Sequence, residues 1–227
     1  MFQFATICVD NFFKYPDEIV NLAETLDYKP HPEGMWPGVR SPELQLVSPF
    51  FKDAVCTKYL KLHLAASMIG YKCAAYFQKI GSASGGSGEG WVHNDTPQLH
   101  TTIIYLNKNE NLKSGTSCYR PKKGIGPMIT TSAEKQKLYN STKKEFNLGN
   151  ITAEEVAKLR AESNSNFEET IRFSNVYNRC IGFDAMEWHA ANEFVQKTKD
   201  SRLTLVIFWS EISSGQTGLQ RSEMQIL

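Results

Sequence analysis

Apolar positions recur every three or four residues through the first third of the chain, and in short alternating runs beyond Gly70. From Pro16, PDEIVNLAETL sets Ile19, Leu22, Ala23 and Leu26 on one helical face, with acids in the first turn where the helix dipole favours them. FFKDAVCTKYLKLHLAASMI repeats the spacing and predicts a second helix over 50–69. FATICV at 4–9 is a β-branched and aromatic run that reads as an edge strand. Residues 29–49 include Pro30, Pro32, Pro37, Pro42 and Pro49 and read as an extended surface loop. After Gly70 the strands predicted are 72–80, 99–106, 116–120, 170–176, 179–183, 188–192 and 202–209. Helices followed by seven or eight short strands point to a mainly β, α+β fold with a jelly-roll style double sheet.

Two stretches interrupt that alternation. GSASGGSGEG at 81–90 has the composition of a linker, and its place just before His93 marks it as a mobile lip. Residues 121–169 read as an insertion, with a charged helix face over 135–144 and a capped helix starting at Thr152 with Glu155 at its third position. No internal repeat is present. The chain therefore reads as one domain over 1–227, with helical support at 1–70, the β core at 71–210 and a tail at 211–227.

The composition, 41% hydrophobic and 22% charged, is that of a folded globular protein. Twenty-five Lys plus Arg against twenty-four Asp plus Glu leave +1, which supplies no general field for nucleic acid or an anionic membrane. The five cysteines are scattered without a CxxC spacing, which fits reduced thiols in the cytoplasm. The N-terminus MFQFATICVDNFFKYPDE lacks a basic segment followed by a long apolar run, so no signal peptide is expected. No apolar stretch approaches the ~20 residues that span a bilayer.

The chemistry-bearing residues gather late. His93 and Asp95 in WVHND are two apart, and on an extended segment they face the same side and can converge on one cation. His189, in EWHAA at the edge of a later strand, can complete a two-His, one-carboxylate facial set that leaves three positions open on a non-haem Fe(II). In RLTLVIFW, Arg202 and Thr204 share one strand face, and a guanidinium buried there needs an anionic partner, for which a dicarboxylate is the natural candidate. Tyr105 on the strand HTTIIYLN can add a phenolic hydrogen bond to the same carboxylate.

In this order the residues resemble the Fe(II)- and 2-oxoglutarate-dependent dioxygenases, specifically the prolyl 4-hydroxylase-like branch, over about residues 71–210. The strand YKCAAY, the His93-Asn94-Asp95 element, Ile104-Tyr105-Leu106-Asn107, the glycine-led SGTSCYRP, and RCIGFD with Trp188-His189 follow the family's sequence of parts. The resemblance implies a double-stranded β-helix, iron held by His93, Asp95 and His189, and 2-oxoglutarate fixed by Arg202 with Tyr105 and Thr204, Tyr76 lying beside it. Arg202 follows His189 by 13 residues, which implies a longer hairpin and leaves Arg179 and Lys197 as substitutes for the basic residue. The implied co-substrates are 2-oxoglutarate and O2, with ascorbate a further candidate. The implied reaction hydroxylates a prolyl, other peptidyl or small amino-acid-like substrate and releases succinate and CO2.

Trp91, Arg40 and Trp36 are the candidate substrate residues, Trp91 at the mouth of the glycine loop and the other two in the proline-rich segment. Trp188 reads more readily as packing, Cys118 as a small buried apolar residue, and His31, His63 and His100 as surface or helix histidines. Two other readings stand beside the dioxygenase. One is a non-catalytic jelly-roll module that binds a carboxylate ligand or a sugar. The other is a cupin-type metal enzyme that does not depend on 2-oxoglutarate.

Overall fold

The strand with the strictest alternation organises the molecule. In the computed structural model, which describes residues 5–30, 38–64, 68–81, 89–108, 111–123, 132–193 and 202–214, the last strand is β9 (Arg202–Ser214). Successive side chains of a strand point to opposite faces. Leu203, Leu205, Ile207 and Trp209 accordingly enter one core, and Arg202, Thr204, Val206 and Phe208 face the other way.

The other strands among the described residues are β1 (Ile7–Val9), β2 (Val39–Arg40), β3 (Met68–Ile80), β4 (His100–Tyr105), β5 (Asn111–Pro121), β6 (Phe167–Asn175), β7 (Cys180–Asp184) and β8 (Trp188–Asn192). They form a six-stranded antiparallel sheet in the order β1-β7-β4-β9-β3-β2 and a three-stranded one in the order β6-β5-β8. This is the jelly-roll architecture, with β1 the edge strand that its residues predict.

Helices α1 (Pro16–Glu24), α2 (Leu44–Val47) and α3 (Pro49–Leu64) supply the layer that buries the outer face of the large sheet. Tyr59 and Leu60 of α3, Ala23 of α1 and Leu44 of α2 join Phe77, Leu205, Ile207 and Trp209 in one cluster. Trp209 is fully buried, stacks on Tyr59 at 5.6 Å and donates its indole N–H to Thr102 Oγ1 at 2.9 Å. Burying an aromatic of this kind removes about 150–250 Å² from water, worth about 4–6 kcal/mol at about 25 cal/mol per Å².

Several boundaries differ from the sequence expectation, each because pairing overrides local pattern. The helix expected over 50–69 ends at Leu64, and Met68 already begins β3, which pairs along its whole length with β9. β9 likewise runs on to Ser214, into the expected tail. The supposed loop over 29–49 holds β2, whose Arg40 pairs with Gln78, and α2, whose first turn is capped by the Glu43 carboxylate. In the insertion, α4 (Ser132–Asn147) and α5 (Ala153–Asn164) form, the latter with the capping box of Thr152 and Glu155, while β6 claims residues from Phe167 on. The glycine-serine lip at 82–88, with Trp36, His31 and Lys197, lies outside the described residues.

His100 is neither a surface nor a helix residue. It is 1% exposed on β4, with Nε2 hydrogen-bonded to the Tyr59 hydroxyl. Gly182 of β7 is what admits this pair, because a Cβ there would collide with the Tyr59 hydroxyl and stand 2.8 Å from His100 Nε2. Gly182→Ala is therefore expected to lower stability by about 1–3 kcal/mol through overpacking. A urea titration checks this, the midpoint falling while the slope stays unchanged.

Candidate metal centre

The segment before β4 is not a named strand, yet it runs alongside β8 as one. Gly90 N–H donates to Ala191 O at 2.7 Å, His93 and His189 exchange both backbone hydrogen bonds at 2.9 and 2.7 Å, and Asp95 N–H donates to Ala185 O at 2.8 Å. The two histidines thus sit directly opposite one another across an antiparallel bridge. From the far side Asn164, the last residue of α5, accepts from Val92 N–H and donates to Gly90 O, both at 2.9 Å. The insertion helix thereby clamps the segment that carries His93.

Each imidazole is oriented by the carbonyl two residues before it. His93 Nδ1 lies 2.8 Å from Trp91 O, and His189 Nδ1 lies 2.9 Å from Glu187 O. A carbonyl only accepts, so Nδ1 is the donating nitrogen in both rings and Nε2 is the nitrogen left to meet a cation. Both Nε2 atoms face Asp95, at 3.6 Å from His93 to Oδ1 and 3.4 Å from His189 to Oδ2. One ligand atom from each of the three residues lies within 4.8 Å of the others. Desolvation would raise the Asp95 carboxyl, but His189 and His93 together outweigh it and hold the group well below the carboxylate range. Thr101 on β4 donates to Asp95 Oδ2 at 2.6 Å and fixes its rotation. The His93 side chain is 45% exposed against 6% for His189, so the centre opens on the His93 side.

Deeper on the same face lies Arg202, 3% exposed. Its Nη1 donates to Gly115 O at 2.9 Å, its guanidinium stands 5.3 Å from the Tyr105 ring, and among the described residues its Nε has no hydrogen-bond partner. Burial pushes this guanidinium down, with Tyr105 opposing. Among the described residues it makes no ion pair. Tyr105 directs its hydroxyl proton to Thr116 Oγ1 at 2.8 Å. Thr204, 3% exposed, pairs with Tyr105 on one side and Gln78 on the other, and Tyr76 follows on the same face of β3. Arg179 is not available as the basic residue, because it grips Asp10 with two hydrogen bonds at 2.6 and 3.0 Å.

Arg40 also belongs to this face. Its guanidinium lies 5.6 Å from the Tyr76 ring and 5.1 Å from the Phe208 ring, and donates to Gln78 Oε1 at 3.3 Å. Burial pushes it down to about 10, and Asp95 pulls the other way. Trp91 contributes the carbonyl that orients His93. Trp188 packs with Phe167 at 5.0 Å in a cluster with Val92 and Ala190, away from the three ligand atoms. Cys118 is buried opposite His189 in the β5–β8 pairing.

Sequence reasoning passed over Thr101, the Gly115 carbonyl, Thr116 and Asn164. Thr101 was within reach of the strand period, since Thr101, Ile103 and Tyr105 share a face. Asn164 carried no such signal.

No family model matches this sequence, and no curated protein matches it. Solved structures do match in fold. An oxidoreductase of the 2OG-Fe(II) oxygenase family from Burkholderia pseudomallei superposes with a TM-score of 0.53 at 11% identity, over 90% of this chain and 84% of that one. SnoN, a non-haem alpha-ketoglutarate dependent epimerase from nogalamycin biosynthesis, gives 0.53 at 10% identity, over 92% and 79%. HygX from Streptomyces hygroscopicus, solved with nickel and 2-oxoglutarate bound, gives 0.50 at 12%, over 91% and 83%. The chain thus has the fold of 2-oxoglutarate oxygenases. Its own donors, two imidazole nitrogens and one carboxylate within 4.8 Å of one another, suit a non-haem Fe(II) with open positions.

Thr101→Val keeps the shape and removes the hydrogen bond to Asp95, and is expected to weaken metal binding by about 10–100-fold. Titration of the protein with Ni(II) in a calorimeter checks this, Thr101→Ser retaining the wild-type affinity within a few-fold.

Proposed function

We propose that this protein is a non-haem Fe(II)- and 2-oxoglutarate-dependent dioxygenase, in which His93, Asp95 and His189 hold the iron and Arg202 anchors the co-substrate. The observation that carries this reading is the buried Arg202 guanidinium, its Nε unbonded among the described residues, on the same sheet face as Thr101 beside Asp95. With iron, 2-oxoglutarate and O2 bound, the centre would supply oxidative decarboxylation to succinate and CO2 coupled to hydroxylation of a substrate.

The chain's own residues would divide the remaining work. Arg202, donating from Nε and from an Nη nitrogen, presents a planar fork that matches a carboxylate. The Gly115 carbonyl and the Tyr105 ring hold that fork in place. Thr204 and Tyr105 would add hydroxyls to the same carboxylate, and Tyr76 would border it. Asp95, kept ionised by two imidazoles, and Thr101, which fixes its rotation, would keep the donor set ready for a divalent cation.

On the open His93 side, Arg40 and Trp91 would meet the substrate, and Trp36 is proposed with them from the sequence alone. A prolyl or other peptidyl or amino-acid substrate follows from the likeness of the motif order to the prolyl 4-hydroxylase branch. No helix among the described residues is long and apolar enough to cross a membrane. The proposed cytoplasmic setting rests on the scattered cysteine spacing.

Anaerobic addition of Fe(II) and then 2-oxoglutarate tests the reading. The expected result is a visible charge-transfer band that requires both additions, is lost on chelation with EDTA and is lost or greatly weakened in Arg202→Ala. Succinate formation under air should follow the same pattern. Bound iron without a band would favour a cupin-type enzyme, and a failure to bind iron would favour the ligand-binding module.

A further inference from the structure

On the helix side of the large sheet, away from the metal centre, two sulfurs touch. Cys56 of α3 is fully buried and Cys73 of β3 is half-buried, and their Sγ atoms are 3.4 Å apart across a sequence separation of 17 residues. The register of β3 against β9 shifts between Lys72, opposite Glu211, and Cys73, opposite Trp209, which leaves Ser210 as the extra residue. Such a bulge re-aims the side chains beside it. Here it puts Cys73 on the face of Trp209, against α3.

Four charged or titratable groups surround the pair. Lys52, one turn before Cys56, is 7% exposed and ion-paired with Glu43 at 2.9 Å, and the Tyr71 hydroxyl donates to Asp53 at 2.7 Å. The hydrogen bond from Cys56, aided by Lys52, holds the Cys73 thiol below its ordinary value against desolvation and Glu43. Giving that hydrogen bond and being buried push the Cys56 thiol up. The two cysteines are therefore unlike. One is half-buried and the more readily ionised, and the other is enclosed, already in contact with the first.

We propose that Cys56 and Cys73 are a reversible dithiol–disulfide pair that exchanges with a small-molecule disulfide of the glutathione type. A disulfide needs about 2.05 Å between sulfurs, so closure asks for about 1.4 Å of approach from the observed contact. The Cys73 thiolate attacks one sulfur of glutathione disulfide. A Cys73–glutathione bond forms, the original S–S bond breaks, and one glutathione leaves with the proton that Cys73 gave up. The Cys56 sulfur then attacks the Cys73 sulfur, a Cys56–Cys73 bond forms, and the second glutathione leaves with the Cys56 proton. Two protein thiols are oxidised and one glutathione disulfide is reduced to two glutathiones. The cross-link ties α3 to β3, the strand that carries Tyr76 and Gln78 towards the metal side. It depends on no property of the iron site.

The test uses the full chain in a Cys8→Ser background, which removes the exposed thiol and leaves four of the five cysteines. After equilibration with mixtures of oxidised and reduced glutathione, thiols titratable in denaturant should fall from four to two, and the intact mass should drop by two hydrogens. Trypsin should release DAVCTK joined to CAAYFQK. Cys73→Ser should abolish the cross-link, and Cys56→Ala should stop at one glutathione on Cys73 that dithiothreitol removes. Four titratable thiols after oxidation, a cross-link through Cys118 or Cys180, or glutathione that persists on Cys73 while Cys56 remains free would each overturn the proposal.

Discussion

A guanidinium shut away from water at the centre of a sheet is the constraint on which this site depends. Taking a guanidinium out of water is costly unless other groups hold it. The fold tolerates this because three strands hold the group: β4 through the Tyr105 ring, β5 through the Gly115 carbonyl, and β9 through its own backbone. Gly115 is specific to the task. Its φ is +154°, and a Cβ there would strike the Phe173 carbonyl, so no other residue could aim that oxygen with the strand pair intact.

The same strand that presents Arg202 to one interior closes the other. β9 spends alternate residues on two environments, Leu203 to Trp209 on the helical core and Arg202 to Phe208 on the face shared with Thr101 and Tyr105. Stability and site are therefore built from one register. A slip of a single residue would put the cation among Tyr59 and Phe77 and the tryptophan on the metal-side face. The length of the β3–β9 pairing, from Met68 opposite Ser214 to Ile80 opposite Arg202, guards against this.

What the sequence made legible follows from the range of the forces involved. Strand alternation and the capping box at Thr152 are local, and both appear where the residues place them. β2 and the start of β3 were not legible, because two residues among prolines, or Met68 after an apolar helix, become strand only when a partner strand lies alongside. The three proposed ligands could be picked out because their residue types are rare and their order is informative. His100 was misjudged because its burial depends on Tyr59 arriving from α3, 41 residues away, over a glycine on β7. Asn164 is further still from any sequence signal, reaching the His93 segment from the end of an inserted helix.

The orienting of the two imidazoles by main-chain carbonyls has an evolutionary corollary. Where a side-chain carboxylate fixes a histidine's tautomer, one nucleotide change can undo it. Here the acceptors are Trp91 O and Glu187 O, and every amino acid at those positions supplies the same oxygen. The ring orientations are thus insulated from drift at positions 91 and 187, whose side chains can diverge with the substrate while each Nε2 stays aimed. Heritable variation in the donor set is channelled instead into Asp95 and Thr101, the part held by side chains.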